Sequence, residues 1–342
     1  MRLFLRSLPS AAVLAAVALS GPAAGAAAAA EGPGTASFTI ADPRITESSG
    51  LAASRKHPGV YWTHNDSDDG PYLYAVDSAT GRTVARITMT GVGRPRDVEA
   101  VSLGPDGHLY VGDIGDNIGS WRHVWIYELP EPDELGDRTV KAVQYTVRYE
   151  DGPRNAEALM VHPVTGRVYI ASKSEDAGHL YEGPQRLSAS GTNVFRRVAD
   201  VPWVTDGAFS PDGKQLALRG YFFARAYPWT AGRPVGDGER VGAPLQAQAE
   251  SVTYSPDGST LMFGSEGAGS RVVAVPVPKE GADGAGPGTS PTAPKPAGAG
   301  AAGAPATGDD GSFTVGAVVL AVATAVVLGA KRLLRKGGGS GG

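Results

Sequence analysis

Acidic side chains recur along this chain at positions that a repeating fold would bring together. They open short apolar runs in "DVEAVSLGPDG" (97–107), "NAEALMV" (155–161), "TDGAFSPDG" (205–213) and "AESVTYSPDG" (249–258), which aligns Glu99, Glu157, Asp206 and Glu250 with one another. A second set closes the runs that follow: His64, Asn65 and Asp66, then Asp113 and Asp116, then Lys173 and Glu175, then Arg219, then Glu266. Three chemistries suit this inventory. Abundant carboxylate oxygens suit a hard cation, Ca2+ above all, with Glu99, Glu157, Asp206 and Glu250 as its ligands. Carboxylates beside Lys173 and Arg219 suit buried ion pairs. Carboxyls with raised pKa suit acid–base hydrolysis of a phosphoester or a glycosidic bond, with Lys173 and Arg219 holding an anion in the first case.

Some offset is obligatory if these groups converge. At an effective dielectric near 20, two like charges about 4 Å apart cost roughly 4 kcal/mol. The local acidic turns do not supply a cation loop by themselves. Asp113, Asp116 and Asn117 lack EF-hand spacing, and "NDSDDG" (65–70) fails at its final position. The chain has no Gly-x-Ser-x-Gly elbow, no His-Glu-x-x-His helix, no P-loop and no complete dinucleotide fingerprint. His64 is the histidine placed beside rim carboxylates, as a catalytic group or as a hydrogen-bonded structural one. Trp121 and Trp203 fall on the same side, as plates for a ligand or as packing, whereas Trp62, Tyr110 and Tyr169 occupy mid-strand core positions.

The elements that must position these residues follow from internal repetition. Segments 48–66, 98–116, 156–175, 205–221 and 249–267 share one grammar: a polar or acidic start, a small residue, a short apolar strand, a Pro/Gly turn, a second β-rich strand. The turns "GPDG" and "SPDG" put Pro where φ is near −65° and Gly where φ turns positive, as a tight hairpin requires. Two further β-like runs follow most hairpins, for example "HVWIYELP" and "VKAVQYTVRYE", which predicts four strands per repeat. The last repeat has three, and "TASFTIA" (35–41) is spare at the front. The prediction is an all-β, five-bladed β-propeller of four-stranded blades, the N-terminal strand closing the last blade. First strands are innermost in that fold, so the aligned acidic residues would ring one mouth of the channel.

The Ser-Pro-Asp-Gly turns resemble those of the TolB-like, WD40-like propellers of secreted bacterial proteins. The resemblance covers residues 35–278 and implies an architecture, not a chemistry. The Trp-Asp endings of WD40 repeats are absent.

The termini speak to location. Arg2 and Arg6, an apolar stretch from Leu8 to Leu19 and the small residues before Glu31 read as a signal peptide (1–30), with the mature chain beginning near Glu31. Residues 279–311 are nearly all Gly, Ala, Pro, Ser and Thr, a disordered stalk. An apolar run follows in the segment 312–330, and residues 313–330 are just long enough to span a bilayer. Lys331, Arg332, Arg335 and Lys336 in the tail 331–342 would stay cytoplasmic, which places residues 31–278 outside. "APATG" before the span resembles the Leu-Pro-x-Thr-Gly sorting signal of Gram-positive surface proteins, with Ala304 replacing leucine. The resemblance implies wall attachment at Thr307, against a plain membrane anchor. With no cysteine, no disulfide can form, and a formal net charge of −4 argues against nucleic acid as partner. The reading is a surface-anchored propeller binding an extracellular ligand or protein at its acidic mouth with Ca2+. The alternative is a secreted metal-assisted hydrolase.

Overall fold

The computed structural model describes residues 34–67, 69–174 and 178–277. The segments expected to form a signal peptide, stalk, membrane span and basic tail, with Thr307, lie outside these residues, as does Glu175. All regular structure in the described part is β, and among the described residues no helix is long and apolar enough to cross a membrane.

After a short N-terminal strand, β1 (Phe38–Thr39), the first repeat comprises β2 (Ser48–Ala53), β3 (Val60–Asn65), β4 (Tyr72–Asp77) and β5 (Arg82–Thr90). The second comprises β6 (Val98–Leu103), β7 (His108–Asp113), β8 (Val124–Pro130), β9 (Arg138–Lys141) and β10 (Val143–Tyr149). The third comprises β11 (Ala156–Val161), β12 (Val168–Ser172), β13 (Gly178–Glu182) and β14 (Thr192–Val201). The fourth comprises β15 (Asp206–Phe209), β16 (Gln215–Gly220), β17 (Phe223–Thr230), β18 (Arg233–Pro234) and β19 (Glu239–Val241). The last has β20 (Ala249–Tyr254), β21 (Thr260–Ser265) and β22 (Arg271–Pro276).

Each repeat opens with an antiparallel hairpin, and the turn chemistry explains why. In "SPDG" (255–258) Gly258 takes φ 72°, and the Asp257 carboxylate accepts from the Ser255 hydroxyl and the Ser259 amide. Those donors hold the Asp257 carboxyl below its ordinary range.

The sheets depart from simple meanders at their outer edges. The run "VKAVQYTVRYE" divides at buried Ala142: β10 stays with β8, while β9 leaves to pair in parallel with β5. Likewise β10 and β14 pair in parallel, which fuses the second and third repeats into one eight-stranded sheet. An outer strand is otherwise an open row of donors and acceptors, and these pairings cover it. Phe38 and Thr39 pair with Val272 and Arg271, so β1 supplies the fourth strand of the sheet β1-β22-β21-β20.

The first strands lie side by side in the cyclic order β2, β6, β11, β15, β20 and back to β2. Five hydrophobic clusters fill the spaces between successive repeats, including one that joins the ends of the chain through Phe38, Ile40, Tyr61, Tyr74, Met262 and Val272. Sheets ranged about an axis with first strands innermost form a β-propeller. Trp62, Tyr110 and Tyr169 are buried in these interfaces.

Candidate functional site

The inner strands carry their acidic residues on irregular backbone. In β6, Val98 pairs with Asp113 and Ala100 with Gly112, so Glu99 is an extra residue in a β-bulge. The same shift falls at Glu157 in β11, at Glu250 in β20 and across Ser49–Gly50 in β2. A bulge re-aims its side chain, and here it falls at three glutamates, Glu99, Glu157 and Glu250. In β15 the ladder stays in register, with Asp206 opposite Arg219. Asp206 accordingly behaves differently: its oxygens accept the amides of Val252 (2.8 Å) and Gly207 (2.7 Å), tying β15 to β20.

The convergent part of the site is built from Asp66, Asp97, Glu99 and Glu157. One carboxylate oxygen from each of Asp66, Asp97 and Glu99 lies within 4.8 Å of the others. The carboxyls of Asp66 and Asp97 lie against one another, so their charges oppose each other directly. Burial first, then the charges of Asp97, Glu157 and Glu47, pushes the Asp66 carboxyl well above its ordinary value. Burial likewise raises Glu99, helped by Asp66, Glu157 and Asp97. Ser49 donates to Glu99 Oε2 at 3.3 Å, and the Gly115 backbone closes over Glu99 and Asp97 so tightly that a Cβ there would overlap both. Two carboxylate oxygens of this group are buried without a hydrogen-bond partner: Asp66 Oδ1 and Glu157 Oε2.

Lys173 is the cation the chain itself supplies. Its Nζ donates to Glu157 Oε1 at 2.5 Å and to the Tyr221 hydroxyl at 2.8 Å. Burial opposes its charge, but Glu157, Glu250, Tyr221 and Glu99 outweigh that and hold its pKa well above the ordinary lysine value. Burial nevertheless leaves Glu157 raised and lifts Glu250 to about 8, with Lys173 opposing in both cases. Among the described residues Arg219 forms no ion pair. It is fully buried, its Nη1 donates to the carbonyls of Ser251 (2.7 Å) and Gly264 (2.6 Å), and its Nη2 donates to Gln246. Burial lowers its pKa to about 10, against the charges of Glu250 and Asp206.

The remaining sequence candidates serve the loops. Asp113 is fully buried and accepts from the amides of Arg96 and Asp97 and from the Tyr127 hydroxyl, which anchors the strand start bearing Asp97. Asp116 accepts the Trp121 amide at 2.7 Å. His64 is buried beneath Gly50; its Nδ1 faces the Asn65 carbonyl, its Nε2 has no partner, and burial lowers its pKa to about 4. Trp203 packs on Tyr221, with ring centroids 5.3 Å apart. Trp121 and Trp125 hold the Arg96 guanidinium between them at 3.9 and 3.8 Å.

Alignment of the repeats grouped Glu99, Glu157, Asp206 and Glu250 as one ligand set, whereas the structure brings Glu99 together with Asp66 and Asp97, which that set left out. The signal for both was present: Asp66 follows the end of β3 and Asp97 precedes the start of β6, both at the rim that the repeats define.

No protein-family model and no curated protein matches this chain. Among solved structures, a PQQ-bound aldose sugar dehydrogenase from Streptomyces coelicolor is similar at 12% identity and a TM-score of 0.42, over 71% of this chain and 99% of that one. Kuenenia stuttgartiensis hydrazine synthase is similar at 14% identity and a TM-score of 0.35, over 63% of this chain and 60% of that one. A mitotic checkpoint complex chain is similar at 16% identity and a TM-score of 0.34, over 67% of this chain and 63% of its own length. Likenesses this remote carry neither activity nor ligand to the present chain.

Proposed function

We propose that this chain is a five-bladed β-propeller, held at the outer face of a membrane or in a cell wall, that binds Ca2+ at its acidic mouth and an extracellular ligand or protein through it. Asp66, Asp97 and Glu99 are the first ligands, with Glu157 beside them; Glu250 and Asp206 stay outside this set. The observation that carries the reading is the convergence of Asp66, Asp97 and Glu99, in a group where Asp66 Oδ1 and Glu157 Oε2 are buried without a hydrogen-bond partner. Burying an acceptor without a partner costs about 1–3 kcal/mol, more for a charged group, and a cation removes that cost. Ca2+ takes oxygen ligands at about 2.3–2.6 Å, so oxygens on opposite sides of it stand about 5 Å apart, and carboxylate oxygens of Asp66, Asp97 and Glu99 all lie within that reach of one another. The blade count is supported by the cyclic order of inner strands and the clusters between them. Surface anchoring is supported by the basic-apolar leader, the apolar run at 313–330 and the basic tail.

The test is calcium-dependent stability. A ligand that binds only the folded state stabilises it by about 2.7 kcal/mol at a hundredfold excess over its dissociation constant. Chelator should therefore lower the melting temperature and Ca2+ restore it, while Asp97→Asn or Gly115→Ala blunts the response. A wild-type melt indifferent to both additions would refute the cation site.

A further inference from the structure

A second metal-ligating group lies at the opposite rim, in the turn that joins β6 to β7. We propose that Asp106, His108 and Glu128 form a binding site for a borderline transition-metal dication, Zn2+ in the first instance. Asp106 sits in the Gly-Pro-Asp-Gly turn, His108 opens β7, and Glu128 comes from the neighbouring β8. One donor from each lies within 4.8 Å of the other two. His108 Nδ1 is 2.5 Å from Glu128 Oε1 and 3.8 Å from Asp106 Oδ2. Around a tetrahedral Zn2+ with bonds of about 2.0–2.1 Å, donors stand about 3.3 Å apart. The two distances bracket that value, so sub-ångström shifts of surface side chains would complete the geometry.

The surroundings are those that orient metal ligands. The Tyr145 hydroxyl donates to Glu128 Oε2 at 2.6 Å, the Tyr110 hydroxyl to Asp106 Oδ2 at 2.8 Å, and the His108 amide to Asp106 Oδ1 at 3.1 Å. Hydrogen-bonded partners of this kind fix carboxylate orientation in metal centres. The side chains of Asp106 and His108 are 43% and 37% exposed, so water can enter and fill an open coordination position. An imidazole nitrogen among the donors selects against Ca2+ and for the Zn2+ side of the divalent series. The competing account is a plain hydrogen-bonded trio in which Nδ1–H donates to Glu128 and no metal enters.

Co2+ titration of the full-length chain separates the two, because a tetrahedral Co2+ site gives an intense visible band that Zn2+ abolishes by displacement. The band should appear in the wild type and in Asp97→Asn, which alters only the acidic mouth. Its affinity should fall by at least about tenfold in both His108→Ala and Asp106→Asn, judged on whichever variant keeps the wild-type circular dichroism spectrum. Absence of the band at millimolar Co2+, or a band that survives unchanged in the folded variants, would overturn the proposal.

Discussion

Glu250 feels the positive charges of Lys173 and Arg219, yet burial lifts its carboxyl from an ordinary 4.5 to about 8. The folded state therefore keeps a proton that the unfolded chain releases across this interval. The folded state binds more protons, so stability falls as pH rises between about 4.5 and 8, by a few kcal/mol for a single such group. Urea denaturation in chelator at pH 5 and pH 8 should find the cation-free protein more stable at pH 5. Glu250→Gln, neutral throughout, should flatten that slope; an unchanged slope would assign it to Asp66, Glu99 and Glu157. Lys173 marks the limit of self-neutralisation at this scale: its ammonium satisfies one oxygen of Glu157 and leaves the other bare.

At the scale of elements, the link between β16 and the last repeat depends on a buried cation bonded to backbone. Arg219 reaches the carbonyls of Ser251 and Gly264 and stacks 5.1 Å from the Phe263 ring centroid. Arg219→Ala removes these donors and opens a cavity, and the loss should be about 3–5 kcal/mol by chemical denaturation. Because Arg219 pairs with no carboxylate among the described residues, raising the salt concentration should leave that loss intact. A salt-sensitive deficit would restore the ion-pair reading. Asp206 belongs to the same linkage, since its oxygens are taken up by the Val252 and Gly207 amides.

For the whole molecule the decisive contact is between chain ends. β1 pairs with β22, the Ser37 hydroxyl accepts the Ala274 amide, the Ile40 amide reaches the Ser270 carbonyl, and Phe38 and Ile40 enter the cluster between the last and first repeats. Deleting residues 31–41 would expose the edge of β22 and uncover that cluster. We expect aggregation or a loss of several kcal/mol in thermal or chemical unfolding, since two large apolar side chains alone contribute about 1.5–3 kcal/mol each. A truncated chain that melts like its parent would remove β1 from the closure.

The repeats, hairpins and spare strand were legible in the sequence because they rest on local rules. Pro and Gly fix turn dihedrals, β-rich runs fix strands, and a three-stranded last repeat demands a partner for its edge. The alignment of Glu99, Glu157, Asp206 and Glu250 was likewise a property of the sequence, and so was their shared rim. Which of them converge was not. Bulges at Glu99, Glu157 and Glu250, but not at Asp206, redirect the carboxylates, and a bulge is set by the register of a partner strand that no local pattern records. Tertiary packing also chose the partners: Lys173 went to Glu157 and Arg219 to backbone carbonyls, because the inner strands abut at distances fixed by the clusters between repeats. Asp66 and Asp97 joined Glu99 for the same reason, since the end of β3 and the start of β6 meet only when two successive repeats pack side by side.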